Sequence, residues 1–323
     1  MAGFLARRLG AAALVAFGVA TLTFLLIHLS PGSPLAGSGE NPYVSAEAIE
    51  QMRRNFALDR PIHIQYVRYI ANLVRGDWGM SFTMHRPVIN ALRDALPNTL
   101  LLAGAALIVD FLLGIALGTL QGMRPGTRLD RVGSAVTLTL YSVPTFWLGL
   151  MLVLVFGQEL GWLPVSGVVD PVLYPTRTVV GKLLDRGVHL ILPALTLGLI
   201  GAAATARYQR AAMLEVVRQD FIRTARAKGL AEGAVARHAL RNAILPTITL
   251  LGLALPTLLS GAVLVETVFA WPGMGRLAFE ALQRRDYPVV TGAATLVALA
   301  VVAGNLVADV LTRIADPRTR EPT

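Results

Sequence analysis

A short basic stretch in an otherwise apolar chain holds the residues best suited to chemistry with a partner. The stretch DFIRTARAKGL, residues 220–230, carries Arg223, Arg226 and Lys228. Cations are too costly to place in hydrocarbon, so the stretch must lie in water. Arginine offers acidic groups a planar fork, and lysine offers them a point charge. We expect 220–230 to contact an acidic partner; the alternatives are a solvated loop or a segment lying on anionic lipid headgroups.

The local pattern places these cations on a helix. Residues 215–228 have a helix-forming composition in which Phe221, Ile222 and Ala225 share one side. Gly229 stands where a helix ends in a residue of left-handed conformation. The prediction is a short helix, a glycine turn and then a second helical stretch over 231–243.

Two acidic residues within or beside apolar stretches are the other candidates for chemistry. Asp110 lies about 12 residues into an apolar helix, or roughly 18 Å at the helical rise. An ionisable group at that depth must face a cavity or a bonding partner. Asp110 is therefore a counter-charge for a cationic substrate group, or it bonds to neighbouring helices or to Ser/Thr hydroxyls. Glu266 follows a later apolar stretch, near the outer mouth of a pathway.

Several enzyme classes are excluded by what the sequence lacks. The Gly181-Lys182 pair is followed by Leu183 and lacks the upstream glycine of a phosphate-binding loop, so no ATP hydrolysis by that route is expected. No G-x-S-x-G or H-E-x-x-H motif occurs, the five histidines are scattered, and cysteine is absent. We expect no catalytic residue, no metal site and no cofactor bound by this chain.

The elements that position these residues are membrane helices. The 323-residue chain is 54% apolar and 15% charged, which is too little charge for a soluble protein surface. About 20 apolar residues cross the roughly 30 Å hydrocarbon core. Six transmembrane helices are predicted from stretches without charged residues, namely 9–39, 95–109 with 111–123, 132–158, 190–206, 242–265 and 287–308.

The distribution of arginine and lysine orients these helices. With the N-terminus inside, the inner segments are about twice as basic per residue as the outer ones, as the positive-inside rule requires. Both termini are then cytoplasmic. The net charge of +9 follows in large part from this topology, and no nucleic-acid partner is expected. The inner segments are 1–8, 122–131, 207–241 and 313–323, and the outer ones are 30–97, 159–189 and 266–288.

The outer segment 30–97 is too long for a simple loop. It shows two helical patterns, Ser45 to Ala57 and Ile62 to Arg75, the second ended by Gly76. The segment is either a cap on the outer rim or a docking surface for a partner. The sequence AWPGMG, residues 270–275, predicts a re-entrant turn after the fifth span.

Seven blocks are spread along almost the whole chain, namely ARRLG, LDRPIHIQYVRYIANLVRGDWGMSF, SVPTFWLG, ILPALTLG, RTARAKGLAEGAVARHALRNAILP, ETVFAWPGMGRLAFEALQRRDYPVV and NLVADVLTRIADPR. Together they resemble binding-protein-dependent ABC importer permeases of the dipeptide, oligopeptide and nickel branch. In the coupling loop of that family, Arg223 and Thr224 stand where the general pattern has Glu and Ala, while Ala225 and Gly229 match it. This departure is common in the peptide and nickel branch.

The resemblance implies a type I ABC importer permease fold, with residues 1–323 forming one transmembrane domain. It implies a second, similar permease, two ATP-binding subunits that hold ATP and Mg, and an extracytoplasmic solute-binding protein, at a bacterial inner membrane. Residues 216–230 would be the coupling helix, docked on an ATPase. The coupling residues would be Phe221, Arg223, Thr224, Ala225, Arg226, Lys228 and Gly229.

The substrate class implied by the resemblance is short peptides delivered by the binding protein. A nickel or metallophore permease of the same family is the nearest alternative. A gated channel or a membrane sensor that uses 207–241 as a partner platform belongs to a different class.

Overall fold

The described part of the chain is helical. The computed structural model describes residues 2–29 and 60–315, which contain no strand; one isolated antiparallel bridge pairs Met80 with Pro87. The predicted helix over Ser45 to Ala57 lies outside these residues. The helices are α1 (Ala2–Leu29), α2 (Ile62–Arg75), α3 (Val88–Met123), α4 (Arg128–Ser142), α5 (Thr145–Leu152, continued by the π-helical Val153–Glu159), α6 (Val179–Val217), α7 (Asp220–Ala227), α8 (Glu232–Val268), α9 (Met274–Gln283) and α10 (Tyr287–Ala315); a 3₁₀ turn spans Tyr174–Thr176.

Several of these helices have the length and composition of membrane spans. Within the described residues, α3, α6 and the Tyr287–Val307 part of α10 qualify singly. The bent pair α4 and α5 qualifies as a fourth span if the two are taken together. Helix α1 covers the first predicted span up to Leu29, beyond which that span lies outside the described residues, and α8 is continuous over the fifth. The structure thus supports a multi-pass membrane protein, and the total of six spans stays a prediction.

The third predicted span, residues 132–158, is broken rather than straight. Helix α4 ends at Ser142, α5 begins at Thr145, and the helix axis bends by 104° between them. Pro144 lacks an N–H and disfavours the helical conformation in the preceding residue, and Val143 is accordingly extended, at φ −77° and ψ 132°. The bend leaves an open cleft of about 540 Å³, lined by Leu138, Thr139, Ser142, Val143, Pro144 and Trp147.

The chain divides into two compact units. The first comprises residues 1–100 and 272–303, and the second comprises 101–271 and 304–323. In the first unit α2 packs on α1, where the Thr21 and Tyr66 hydroxyls lie 2.7 Å apart. Helix α2 has the predicted bounds, and it ends as predicted at Gly76, whose φ is 79°. A turn joins α8 to α9 within AWPGMG, residues 270–275, where the sequence predicts a turn.

In the second unit, α3 and α6 approach closely along a row of glycines. Gly114, Gly118 and Gly122 recur every four residues on α3 and face α6. A Cβ atom at Gly118 would lie 2.5 Å from the carbonyl oxygen of Ala206, which is backbone and has no rotamer to change. Small residues at this spacing allow helix backbones to pack against each other within a membrane. This contact fixes α3 against the helix that leads into α7.

Replacing Gly118 by Ala should destabilise the protein by about 1–2 kcal/mol, because the added methyl group pushes α3 away from α6. The measurement is the thermal unfolding midpoint of the purified protein in detergent. Gly104→Ala is the matched control, since Gly104 lies on the same helix and a Cβ there meets nothing within 4 Å. Equal midpoints for the two variants would contradict the close approach.

A candidate coupling site

Helix α7 forms a short projection between two long helices. It spans Asp220–Ala227, with Asp220 in its first turn and Arg226 in its last, which complements the helix dipole at both ends. Gln219, which precedes it, is extended at φ −75° and ψ 152°. The predicted helix over 215–228 was too long at its start, because residues up to Val217 continue α6 and a turn separates them from α7.

Gly229 ends α7 in the predicted left-handed conformation, with φ at 78°. Its N–H donates to the carbonyl of Arg226 at 2.9 Å, and the N–H of Leu230 donates to the carbonyl of Ala225 at 3.3 Å. These two bonds define a Schellman motif, which satisfies carbonyl groups left open at a helix end. The motif reverses the chain sharply, so that α8 begins at Glu232.

The apolar face of α7 anchors it to the ends of three longer helices. Ile222 is fully buried and Ala225 is half-buried, whereas Phe221 is 42% exposed. Phe221 is therefore more exposed than Ile222 and Ala225, the two residues predicted on the same side of the helix. The cluster around Ile222 contains Met213, Val216, Val235, Ala239 and Ala243, with Met123, Ala212, Val217, Ala225 and Leu230 packed against it.

The opposite face of α7 presents cations to solvent. Arg223 lies 3.3 Å from Asp220, and both side chains are at least 80% exposed. The Arg226 guanidinium donates to both carboxylate oxygens of Glu232, at 3.0 and 3.4 Å. Ion pairs this exposed contribute only about 0.2–1 kcal/mol, so these arginines can exchange their contacts for those of a partner. Thr224, Lys228 and Gly229 are exposed on the same projection.

A second charged contact, which the sequence analysis missed, lies at the base of the projection. Arg210 on α6 donates to both carboxylate oxygens of Asp130, from Nε at 2.6 Å and from Nη2 at 2.9 Å. Asp130 is only 3% exposed. The one local signal was a T-x-x-D pattern, in which the Thr127 hydroxyl accepts from the Asp130 N–H and caps α4. The partner 80 residues away leaves no such signal.

The two acidic candidates for the substrate pathway are both buried. Asp110 is 5% exposed, and its Oδ1 accepts a 2.7 Å hydrogen bond from the Thr205 hydroxyl of α6. Its carboxylate fills the space where a Cβ of Gly201 would lie. Glu266 is fully buried near the end of α8. The surroundings of Asp110 match the predicted alternative of a bond to a threonine hydroxyl on a neighbouring helix.

Comparisons with known proteins define the class of this chain. The family described as the binding-protein-dependent transport system inner membrane component matches residues 111–321, and the N-terminal component of the same systems matches residues 1–103. The chain therefore belongs to the binding-protein-dependent transport system inner membrane component family. The predicted resemblance is confirmed, and the chain is a transport permease subunit rather than an enzyme.

Individual relatives cover the chain from end to end. It is 43% identical to the di/tripeptide transport system permease protein DppB of Pseudomonas aeruginosa, with 99% of each chain aligned. It is 38% identical to the oligopeptide transport system permease protein AppB of Bacillus subtilis, over 98% of this chain and 99% of the relative. The dipeptide permease DppB of Escherichia coli K12 is 39% identical over 99% of both. These names do not favour the nickel, channel or sensor alternatives.

Proposed function

We propose that this chain is a permease subunit of an ATP-driven importer and forms half of the pathway for short peptides. The observation that carries the proposal is the identity of 38–43% to permeases named for peptide transport, over 98–99% of the chain. A solute-binding protein delivers the peptide at the outer face. The peptide is selected mainly by that protein, because a pathway for varied side chains must be roomy and weakly specific.

The proposed topology has six spans within a single domain, residues 1–323, with both termini in the cytoplasm of a bacterial cell. The excess of arginine in the segments assigned to the inside supports this orientation. Residues 30–97 then form the extracytoplasmic insertion. Helix α2 is the described helix of that insertion, and its packing on α1 suits a cap that also receives the binding protein.

Coupling to ATP hydrolysis is assigned to α7, the coupling helix within the cytoplasmic loop 207–241. Two partner subunits bind ATP and Mg, and a second permease completes the pathway. Support comes from the exposed cationic face of α7, together with the buried Ile222 and the Schellman motif that fix its direction. The contacting residues are Phe221, Arg223, Thr224, Arg226, Lys228 and Gly229, while Ala225 supports the helix from its packed side.

The sequence leaves two roles open for Asp110, a structural bond and a counter-charge for the substrate, and we propose the structural one. Its burial and its bond to Thr205 support a link between α3 and α6 within this subunit. Such a bond gives the Asp110 carboxyl group a hydrogen-bond donor, which the hydrocarbon of the membrane interior cannot supply. The role of Glu266 on the substrate pathway stays a prediction.

Reconstitution into liposomes tests the proposed function. The complex of this chain with its cognate second permease, ATPase subunits and binding protein should take up a labelled dipeptide only when ATP is supplied. The purified chain alone should hydrolyse no ATP, because it lacks a phosphate-binding loop. Uptake of nickel but not of peptides by the complete complex would contradict the substrate class. ATP hydrolysis by the purified chain alone would contradict the assignment of ATP hydrolysis to separate partner subunits.

A further inference from the structure

Asp130 and Arg210 form a partly buried, doubly bonded ion pair where the loop after α3 enters α4. Besides the two bonds from Arg210, the Asp130 carboxylate accepts the N–H of Gly126 at 2.9 Å. Asp130 is almost fully buried, and the Arg210 side chain is about one-third exposed. A fork-to-fork pair of this kind fixes direction as well as distance, which a lysine in place of the arginine would not do. The pair therefore holds α4 and α6 in a defined orientation.

Arg210 belongs to the same end of α6 that packs against α7. Met213 and Val216, one and two turns further along α6, contact the cluster that contains Ile222 of α7. Since that cluster also contains residues from the start of α8, the base of α7 is one packed body. Arg210 projects from this body to Asp130.

Helix α4 leads from Asp130 to the bend at Val143 and Pro144. A tilt of α4 therefore changes the 104° bend to α5 or turns the bent span as a whole. The first change alters the shape of the open cleft that the bend creates, and the second turns that cleft as a whole. A rigid contact at the first turn of α4 is well placed to impose such a tilt.

We propose that Arg210 and Asp130 are positioning residues that transmit the movement of α7 to α4, and through it to the bent span. The inference rests on the proposed coupling role of α7. It assigns to this pair the step between docking on the ATPase and rearrangement of the pathway. Neither residue is proposed to touch the peptide or the nucleotide.

The test measures the number of peptides taken up per ATP hydrolysed by the reconstituted complex. Asp130→Asn and Arg210→Gln each leave one charge without its partner, so both are expected to lower the unfolding midpoint. The double variant D130N/R210Q removes both charges and should recover most of that midpoint. Its uptake per ATP should nevertheless stay at least about fivefold below the wild-type value, because two neutral amides do not reproduce the bidentate bond.

Arg207→Gln is the matched control. It removes the same charge from α6 about one turn away, where the guanidinium lies 5.4 Å from the Tyr141 ring of α4. Its uptake per ATP should stay within about twofold of wild type, because that contact lies on an exposed surface and is weak. If the double variant does not assemble, Arg210→Lys replaces it. Lysine keeps the positive charge but loses the planar guanidinium that makes two bonds. Uptake per ATP is then expected to be about threefold lower than in the wild type.

Two results would overturn the inference. One is a wild-type value of uptake per ATP in the double variant, or in Arg210→Lys if the double variant does not assemble. The other is an equal loss in Arg207→Gln, which would show that any weakened contact between α4 and α6 has the same effect. Failure of the wild-type complex to take up peptide would instead refute the proposed function. The two failures are thus distinguishable within one set of measurements.

Discussion

Replacing Gly229 by Val is expected to reduce ATP-driven peptide uptake by the reconstituted complex at least about tenfold. Gly229 has a φ of 78°, a conformation that strains a β-branched residue by roughly 1–2 kcal/mol or more. A strain of 1.4 kcal/mol corresponds to about a factor of ten in a population. The strained end relaxes by unwinding the last turn of α7, which carries Arg226. The variant should still insert into the membrane, since Gly229 contributes nothing to the packing of the spans.

The control at this position is Gly229→Asn. Asparagine visits the left-handed conformation more readily than most residues that have a side chain, and a Cβ atom there meets no atom within 4 Å. Asn should therefore keep uptake within a fewfold of wild type. ATPase subunits that co-purify with Asn but not with Val would identify docking as the step that fails. Wild-type uptake by the Val variant would refute the assignment of α7 as the coupling helix.

Local signals explain which parts of the fold could be predicted. Helix α2 was predicted from Ile62 to Arg75 because Pro61 and Gly76 mark its two ends, and the structure has those bounds. Pro144 was equally visible in the sequence, yet the break at 132–158 was not predicted. Pro97 and Pro193 lie inside α3 and α6 without ending them. A proline alone does not decide between a break and a tolerated kink, because neighbouring helices can compensate for the lost bond.

The coupling region shows the same division between local and distant information. Gly229 was predicted correctly because a helix end is encoded within a few residues. The start of α7 was misplaced, since helix-forming composition continues through the end of α6. The Arg210 and Asp130 pair joins residues 80 positions apart, and Thr205 lies 95 positions from Asp110. Sequence reasoning identified Asp110 as a group that needs either a cavity or a partner, and only the tertiary structure shows the bond to Thr205.

Replacing Thr205 by Val is expected to destabilise the complex by about 2–3 kcal/mol and to lower its unfolding midpoint accordingly. The substitution keeps the shape of the side chain but removes the hydroxyl that donates to Asp110 at 2.7 Å. A buried acidic group that loses a donor costs more than an ordinary hydrogen bond, because water does not replace the donor inside the membrane. Thr196→Val is the matched control. Thr196 is also buried on α6, but its hydroxyl donates to the Leu192 carbonyl of its own helix.

Asp110→Asn separates this structural role from the counter-charge role. The amide oxygen still accepts from Thr205, so a structural bond predicts nearly wild-type stability and uptake for every peptide. A counter-charge on the pathway predicts slower uptake of peptides with a free ammonium group, while N-terminally acetylated peptides are spared.

Uptake is therefore compared for two peptides that differ only in acetylation and that the binding protein accepts equally. We expect equal uptake of both by the variant, because the Asp110 carboxylate faces Gly201 and Thr205 on α6. Selective slowing of the free peptide would place Asp110 on the pathway.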